Sequence, residues 1–335
     1  MDKGRQQRVT PPGGKEPSSI APIALLSEHA TVIARLLKLA GALALLLILA
    51  VAWALSDRLG WLLAGLTASG LFLSAHLGLL FSEFMLTAWL GRDSALPAGT
   101  ERIRCGSRWR AWRIEIPAAL LTFGWRIPWL GDRPLPSGSD RRPIPVLLVH
   151  GYFCNRAVFI PLARTLAGAG HHTGSVNLEP LFDSIDRYPA LIEAGARELL
   201  ARSGAPRIAV IGHSMGGLAI RAWLRDYDDA IVASVITLGS PHQGTKLARI
   251  GYVPIVRQMQ HQSPWLTSLA TQEPLSRTAR FTTIISEHDN IVTPQAPQTL
   301  PKARCIAFRG IGHLGLSIDP AAHAIILREL ATLAA

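Results

Sequence analysis

The chain has 335 residues, 49% of them hydrophobic, a formal net charge of +11 and three cysteines. Cys105, Cys154 and Cys305 show no framework spacing and none sits in a metal-ligand pattern, so neither a disulfide-stapled scaffold nor a metal centre is expected. The basic excess comes without a nucleic-acid motif and gathers around two long apolar runs, which points to membrane lipid rather than nucleic acid as its partner.

Residues 1–38 are expected to be a cytoplasmic segment. Its first part, Met1 to Ser19, has the polar, Gly- and Pro-containing composition of disordered chain. Leu39 to Leu55 then carries no charge and is dominated by Leu and Ala. Gly60 to Phe81 is a second uncharged run, interrupted by small polar residues and His76. Each approaches the roughly 20 residues that cross a bilayer. Asp57 and Arg58 between them leave room for a tight hairpin only, so residues 39–90 are expected to be two transmembrane helices. A cleaved signal peptide fits poorly, because the first run starts late, is long and is followed by another. A buried helical hairpin in a soluble domain is the other reading. His76 is expected to bond a neighbouring helix backbone or to lie near the interface, a functional role being the alternative.

Positive residues set the orientation. Lys3, Arg5, Arg8, Lys15, Arg35 and Lys38 precede the first span, and Arg58 alone lies in the hairpin loop. Arg92, Arg102, Arg104, Arg108, Arg110 and Arg113 follow the second span. Both ends, and the domain that follows, are therefore expected on the cytoplasmic side of the inner membrane.

Residues 91–143 read as a basic, Trp-rich juxtamembrane linker. Arg108-Trp109-Arg110-Ala111-Trp112-Arg113 alternates cation and indole, and Trp125, Arg126 and Trp129 follow, as in a segment lying on anionic headgroups. The piece from Trp112 to Ile116 alternates at period two and reads equally as a first sheet strand. A Pro-rich connector from Arg133 to Pro145 leads onward.

From residue 144 to 335, apolar strands alternate with helical patterns. Ile144 to Val149, Thr173 to Leu178, Arg207 to Ile211, Ile231 to Leu238 and Phe281 to Ile285 are strand candidates; Arg187 to Ser203 is a helix. Near-continuous apolar strands between helices imply an α/β domain with a mostly parallel, doubly wound sheet. About residues 246–280 are too long for an ordinary connection and read as a small cap or as one crossover helix.

Chemistry enters at Gly212-His213-Ser214-Met215-Gly216-Gly217. This is G-x-S-x-G, with a strand before it and Leu218 to Leu224 helical after it, the setting of a nucleophile elbow. Its glycines permit the tight turn, and Ser214 is lifted to the positive end of a helix. The bland alternative is a serine that caps that helix. A nucleophilic serine needs a base and an acid, which follow an elbow in the order Asp or Glu, then His. His313, in the glycine-flanked loop after Cys305 to Phe308, is the expected base; His261 and His323 are less well placed. Asp289, at the end of the Phe281 to Ile285 strand, is the expected acid, with Glu287 as its rival. The amides of Met215 and of Tyr152, in His150-Gly151-Tyr152-Phe153, are the expected oxyanion donors. His150 is expected to be structural, and no cofactor is needed.

With Val146 to Phe153, Gly212 to Gly217, Thr237-Leu238-Gly239-Ser240-Pro241-His242-Gln243-Gly244-Thr245, Ser286 to Pro294 and Gly312-His313, the chain resembles bacterial lipases and esterases of the α/β-hydrolase fold over about residues 140–335. The T-L-G-S-P-H-x-G-T stretch is similar to the segment after the sixth strand in lipases and in related inositol-deacylase-like hydrolases. The resemblance implies hydrolysis of carboxylic esters, of lipids or other acyl groups, through an acyl-enzyme. It does not specify the ester. Acyl transfer or thioester hydrolysis on the same residues, or a non-catalytic membrane scaffold, are the alternatives, and no protein partner is implied.

Overall fold

The computed structural model describes residues 31–92, 94–140, 144–274, 277 and 280–333. Met1 to Ser19, and the basic residues Lys3 to Lys15 used for orientation, lie outside the described residues.

Two long helices come first, α1 (Val32–Leu59) and α2 (Trp61–Leu90), packed against each other. Asp57 and Arg58 belong to the last turn of α1, and the hairpin turns on Gly60 at φ 71°. Both helices are long and apolar enough to cross a membrane. Their outer faces carry leucines such as Leu39, Leu46 and Leu62 that are more than half exposed, apolar surface with no partner among the described residues.

The hairpin's open end is seated on the rest of the molecule. At the start of α1, Val32 N donates to Glu179 Oε1 (3.0 Å) and Asn155 Nδ2 donates to Thr31 Oγ1 (3.1 Å). A helix leaves its last carbonyls without intrahelical donors. At the end of α2, Lys246 Nζ donates to one of these, Leu90 O (2.8 Å), while Thr293 Oγ1 adds a bond to Thr87 O (3.2 Å) and Arg108 Nη1 one to Phe84 O (3.1 Å).

Among the described residues, seven parallel strands form one sheet: β1 (Glu101–Arg104), β2 (Val146–Val149), β3 (Thr173–Val176), β4 (Ile208–His213), β5 (Val232–Leu238), β6 (Phe281–Ser286) and β7 (Arg304–Arg309). Their spatial order is β1-β7-β6-β5-β4-β2-β3. Alternate residues face opposite sides. Val146 and Leu148 join Ala209, Ile211, Ile236 and Ile306 in one core, while Leu147 and Val149 join Val176, Val210 and Val235 in the other. Helices α3 (Arg108–Leu121), α4 (Ile127–Leu130), α5 (Ile160–Gly168) and, at the C-terminus, α10 (Pro320–Ala331) contribute to the first core. Helices α6 (Pro189–Ser203) and α7 (Met215–Asp226) cover the second. The doubly wound parallel sheet expected from the sequence is thus present.

Two expectations need correction. Trp112 to Ile116 is not a strand. It lies in α3, where Ala111, Glu115, Ala118 and Ala119 recur at helical spacing and are buried, so burial on a 3.6-residue period overrides the local alternation. Residues 91–143 are also more than a linker: β1 pairs with β7, and α3 packs in the sheet's core, so the folded unit reaches back well before residue 144. The long segment after β5 holds a 3₁₀ turn (Lys246–Ile250), α8 (Pro254–Gln258) and α9 (Pro264–Thr271).

Candidate active site

Parallel sheets place their ligand crevices beyond the carboxyl ends of the strands. Tyr152 follows β2, Ser214 follows β4, Asp289 follows β6 and His313 follows β7, all at that edge.

The turn from β4 into α7 is tight. Ser214 adopts φ 56° and ψ −129°, a conformation costly for a side chain with a Cβ, and its hydroxyl does not cap the helix. The capping alternative is thereby excluded. A Cβ on Gly216 would overlap Val149 O, and one on Gly212 would come within 2.7 Å of Gly217 N. Gly151 is held as closely, since a Cβ there would lie 2.7 Å from that of Ser214. The β2 loop and the elbow are therefore pressed together.

Asp289 is buried and fully engaged. Oδ1 accepts from Ile291 N (2.8 Å) and Val292 N (2.7 Å), and Oδ2 accepts from His313 Nδ1 (2.8 Å). That bond places the ring hydrogen on Nδ1 and leaves Nε2 as the basic nitrogen. Burial alone would lower the His313 pKa, but the negative charges of Asp289, Glu115 and Glu83 outweigh it and raise it above the usual value. Ser214 and His313 line one cavity of about 440 Å³ with Tyr152, Leu314 and Met259. Glu287, the rival acid, lines a different cavity and makes its backbone bond to Phe308 O.

Of the two expected oxyanion donors, Met215 opens α7, where an amide has no intrahelical acceptor, and Tyr152 lies in the turn beyond β2. His150 fixes that turn. Its Nε2 accepts from Leu178 N (2.9 Å), so Nδ1 donates to Gly151 O (2.9 Å), and burial lowers its pKa to about 4. The remaining late histidines are held elsewhere: His242 by Thr237, His261 by Gln243 O, His288 by Gly310 N, and His323 by Thr165 and Ser317 O.

Four residues near His313 escaped the sequence reading. Glu115 of α3 is buried beneath the His313 loop, where it accepts from Leu314 N (2.6 Å) and Gly315 N (3.1 Å); burial lifts its carboxyl to about 7. Asn290 Oδ1 accepts from His313 N (3.1 Å), and its Nδ2 donates to Glu83 Oε2 of α2 (3.0 Å). His213 Nε2 bonds His313 O (3.1 Å), and burial drives its pKa to about 3, so it stays neutral beside the base. Glu115 had one legible signal: it is the sole acid in an arginine- and tryptophan-rich stretch. Asn290 and Glu83 had none, because their partners lie far away in the chain. Among the described residues, no group of His, Cys, Asp and Glu is arranged to hold a metal ion.

Comparison with known proteins gives a consistent picture. A family model described as the alpha/beta hydrolase fold matches residues 144–262. The chain is similar to a triacylglycerol lipase of Vibrio cholerae, 33% identical over 154 residues, or 42% of this chain and 48% of that protein. It is also similar to a triacylglycerol lipase of Burkholderia plantarii, 42% identical over 55 residues, which are 16% of this chain and 15% of that one. The chain thus spans about half, or less, of the length of these relatives. The solved structure of the mature lipase BlEst2 of Bacillus licheniformis superposes with a TM-score of 0.51 at 20% identity, covering 60% of this chain and 96% of that one, which shows a shared fold.

Proposed function

We propose that this chain, an α/β hydrolase of the bacterial lipase/esterase type, is a membrane-held serine hydrolase that cleaves carboxylic esters of lipids through an acyl-enzyme. The observation that carries this reading is the 2.8 Å bond from His313 to an Asp289 already fixed by two amides, in one cavity with Ser214 on its strained turn.

In this reading, Ser214 Oγ attacks the ester carbonyl carbon while its proton passes to His313 Nε2. The amides of Met215 and Tyr152 stabilise the oxyanion, each donor contributing on the order of 3 kcal/mol to the transition state. Asp289 stabilises the imidazolium without taking its proton. The C–O bond to the alcohol breaks and the alcohol leaves with the proton from His313. Water then gives a proton to His313 and its oxygen to the acyl carbon. The acid leaves, and Ser214 recovers its proton. No metal or organic cofactor takes part.

Membrane attachment rests on the hairpin. Trp61 lies exposed at its turn, Trp53 about two helical turns before it, and Trp89 lies exposed at its other end. Trp61 and Trp89 are about 42 Å apart along α2 at 1.5 Å per residue, close to the thickness of a bilayer with its interfaces. Trp109, Trp125 and Trp129 are also exposed, and the Lys38 ammonium lies 4.6 Å from the centre of the Trp129 ring. The positive charge of the arginines after α2 supports a cytoplasmic catalytic side, and periplasmic activity of a reporter fused after Ala335 would overturn that orientation.

The test of the chemistry is ester turnover by the full chain in detergent. Ser214→Ala should lose at least about 10⁴-fold in kcat. Turnover of that variant at the wild-type rate would refute the assignment, and turnover only with an alcohol acceptor or a thioester would move the activity to acyl transfer or thioester cleavage.

A further inference from the structure

The wall of the cavity is not made by the catalytic fold alone. His76, Leu79, Leu80 and Glu83 of α2 line it, and Ala119 and Phe123, in and just beyond α3, complete that side. The i, i+3, i+4, i+7 spacing puts the four α2 residues on one face of the helix. The face is fixed in place, because Glu83 accepts from Asn290, whose other atom holds the His313 amide. His76 Nε2 is buried and has no hydrogen-bond partner among the described residues. An ionisable residue in an apolar helix faces a protein interior or a cavity rather than lipid, and His76 and Glu83 both do.

Depth adds the second argument. Counting from Trp89 at 1.5 Å per residue, Glu83 lies about 9 Å, and His76 about 20 Å, further along α2 toward the hairpin turn. This stretch is bonded to the catalytic fold through Asn290 and shares its cavity with Ser214 and His313, so the wall stands where α2 leaves that fold for its free apolar length toward the hairpin turn. The cavity volume of about 440 Å³ lies in the range of a pocket that encloses a small lipid-sized group.

We propose that α2 forms the acyl-chain subsite, with Leu80 packed beside Ala119 and Phe123 and Leu79 on the same wall, so that the substrate is a long-chain lipid ester drawn from the leaflet that α2 enters. This rests on the serine-hydrolase reading above. It gives the hairpin a second role besides attachment, that of setting which esters reach Ser214.

Labelling rates with butyl and hexadecyl p-nitrophenyl phosphonates separate the two claims. The full chain in detergent is compared with Leu79→Trp, which enlarges an exposed residue that lines the cavity, and with Met85→Trp, an exposed residue of α2 that does not line it. In Leu79→Trp the ratio of hexadecyl to butyl labelling should fall at least tenfold, while in Met85→Trp it should stay within twofold of wild type. Leu79→Ala guards against a misfolded tryptophan variant and should hold or raise the ratio. An unchanged ratio in both Leu79 variants overturns the subsite while leaving the hydrolase reading intact. Failure of the wild type to label with either probe removes both.

Discussion

Glutamine at position 115 removes a charge from beneath the His313 loop while keeping the shape of the side chain. Burial lifts the Glu115 carboxyl from an ordinary 4.5 to about 7. Below pH 4.5 the group is protonated in the folded and the unfolded chain alike. Between 4.5 and 7 the unfolded chain releases the proton and the folded chain keeps it, so stability falls as pH rises through that window. At 1.36 kcal/mol per pH unit, the loss reaches about 3 kcal/mol at pH 7 and above. Glu115→Gln does not titrate and should lack this fall. It carries its own cost, because its NH₂ group meets one of the two amides that Glu115 accepts from, Leu314 N or Gly315 N. An unsatisfied buried amide costs about 1–3 kcal/mol. The variant should therefore melt below wild type at pH 5, and the gap should close or reverse by pH 8.5. Thermal unfolding in detergent across that range measures it. Melting curves that shift in parallel at every pH would refute the assignment of Glu115 as a buried titrating carboxyl.

Three further outcomes are expected. Because Asp289, Glu115 and Glu83 together raise His313, the acid limb of kcat/KM should lie above the usual histidine value, and Glu115→Gln should move it to lower pH; a limb that ignores this substitution would disconnect Glu115 from the base. Asp289→Asn should cost about 10⁴-fold in kcat by losing the tautomer and the stabilisation of the imidazolium, with little change in folding; a loss below tenfold in steady-state turnover would point to another acid. Arg221 and Glu273 form a buried bidentate pair at 2.6 and 2.8 Å, so Arg221→Met should strand the carboxylate and destabilise the fold by about 3–5 kcal/mol; an unchanged denaturation midpoint would contradict the burial of that pair.

Local pattern made much of this molecule readable. The elbow needs glycines where backbone meets backbone, and Gly212 and Gly216 stand at those contacts. The central strands β2 and β4 are short runs buried on both faces, a signal that needs no partner to be recognised, whereas β1, Glu101-Arg102-Ile103-Arg104, carries no such signal. Asp289 and His313 were legible as candidates because an elbow fixes the order of its partners along the chain, and the structure brings the two into a hydrogen bond. What escaped was carried by distant contacts. Trp112 to Ile116 alternates like a strand, and only packing against the sheet and the His313 loop decides for a helix. Glu83 and Glu115 look like charges beside a membrane, yet each is held by backbone or side chains about 200 residues further along the chain. Apolar length makes α2 long enough to cross a membrane, but does not say which face turns toward a cavity, since that depends on where the rest of the fold docks.

The most direct test of the nucleophile is covalent. The 335-residue chain, treated with a fluorophosphonate and digested, should yield one modified peptide, with the added mass on Ser214, and the adduct should vanish in Ser214→Ala and form far more slowly in a His313→Ala variant. An adduct on another serine, or none on a folded protein, would contradict the assignment of Ser214 as the attacking group.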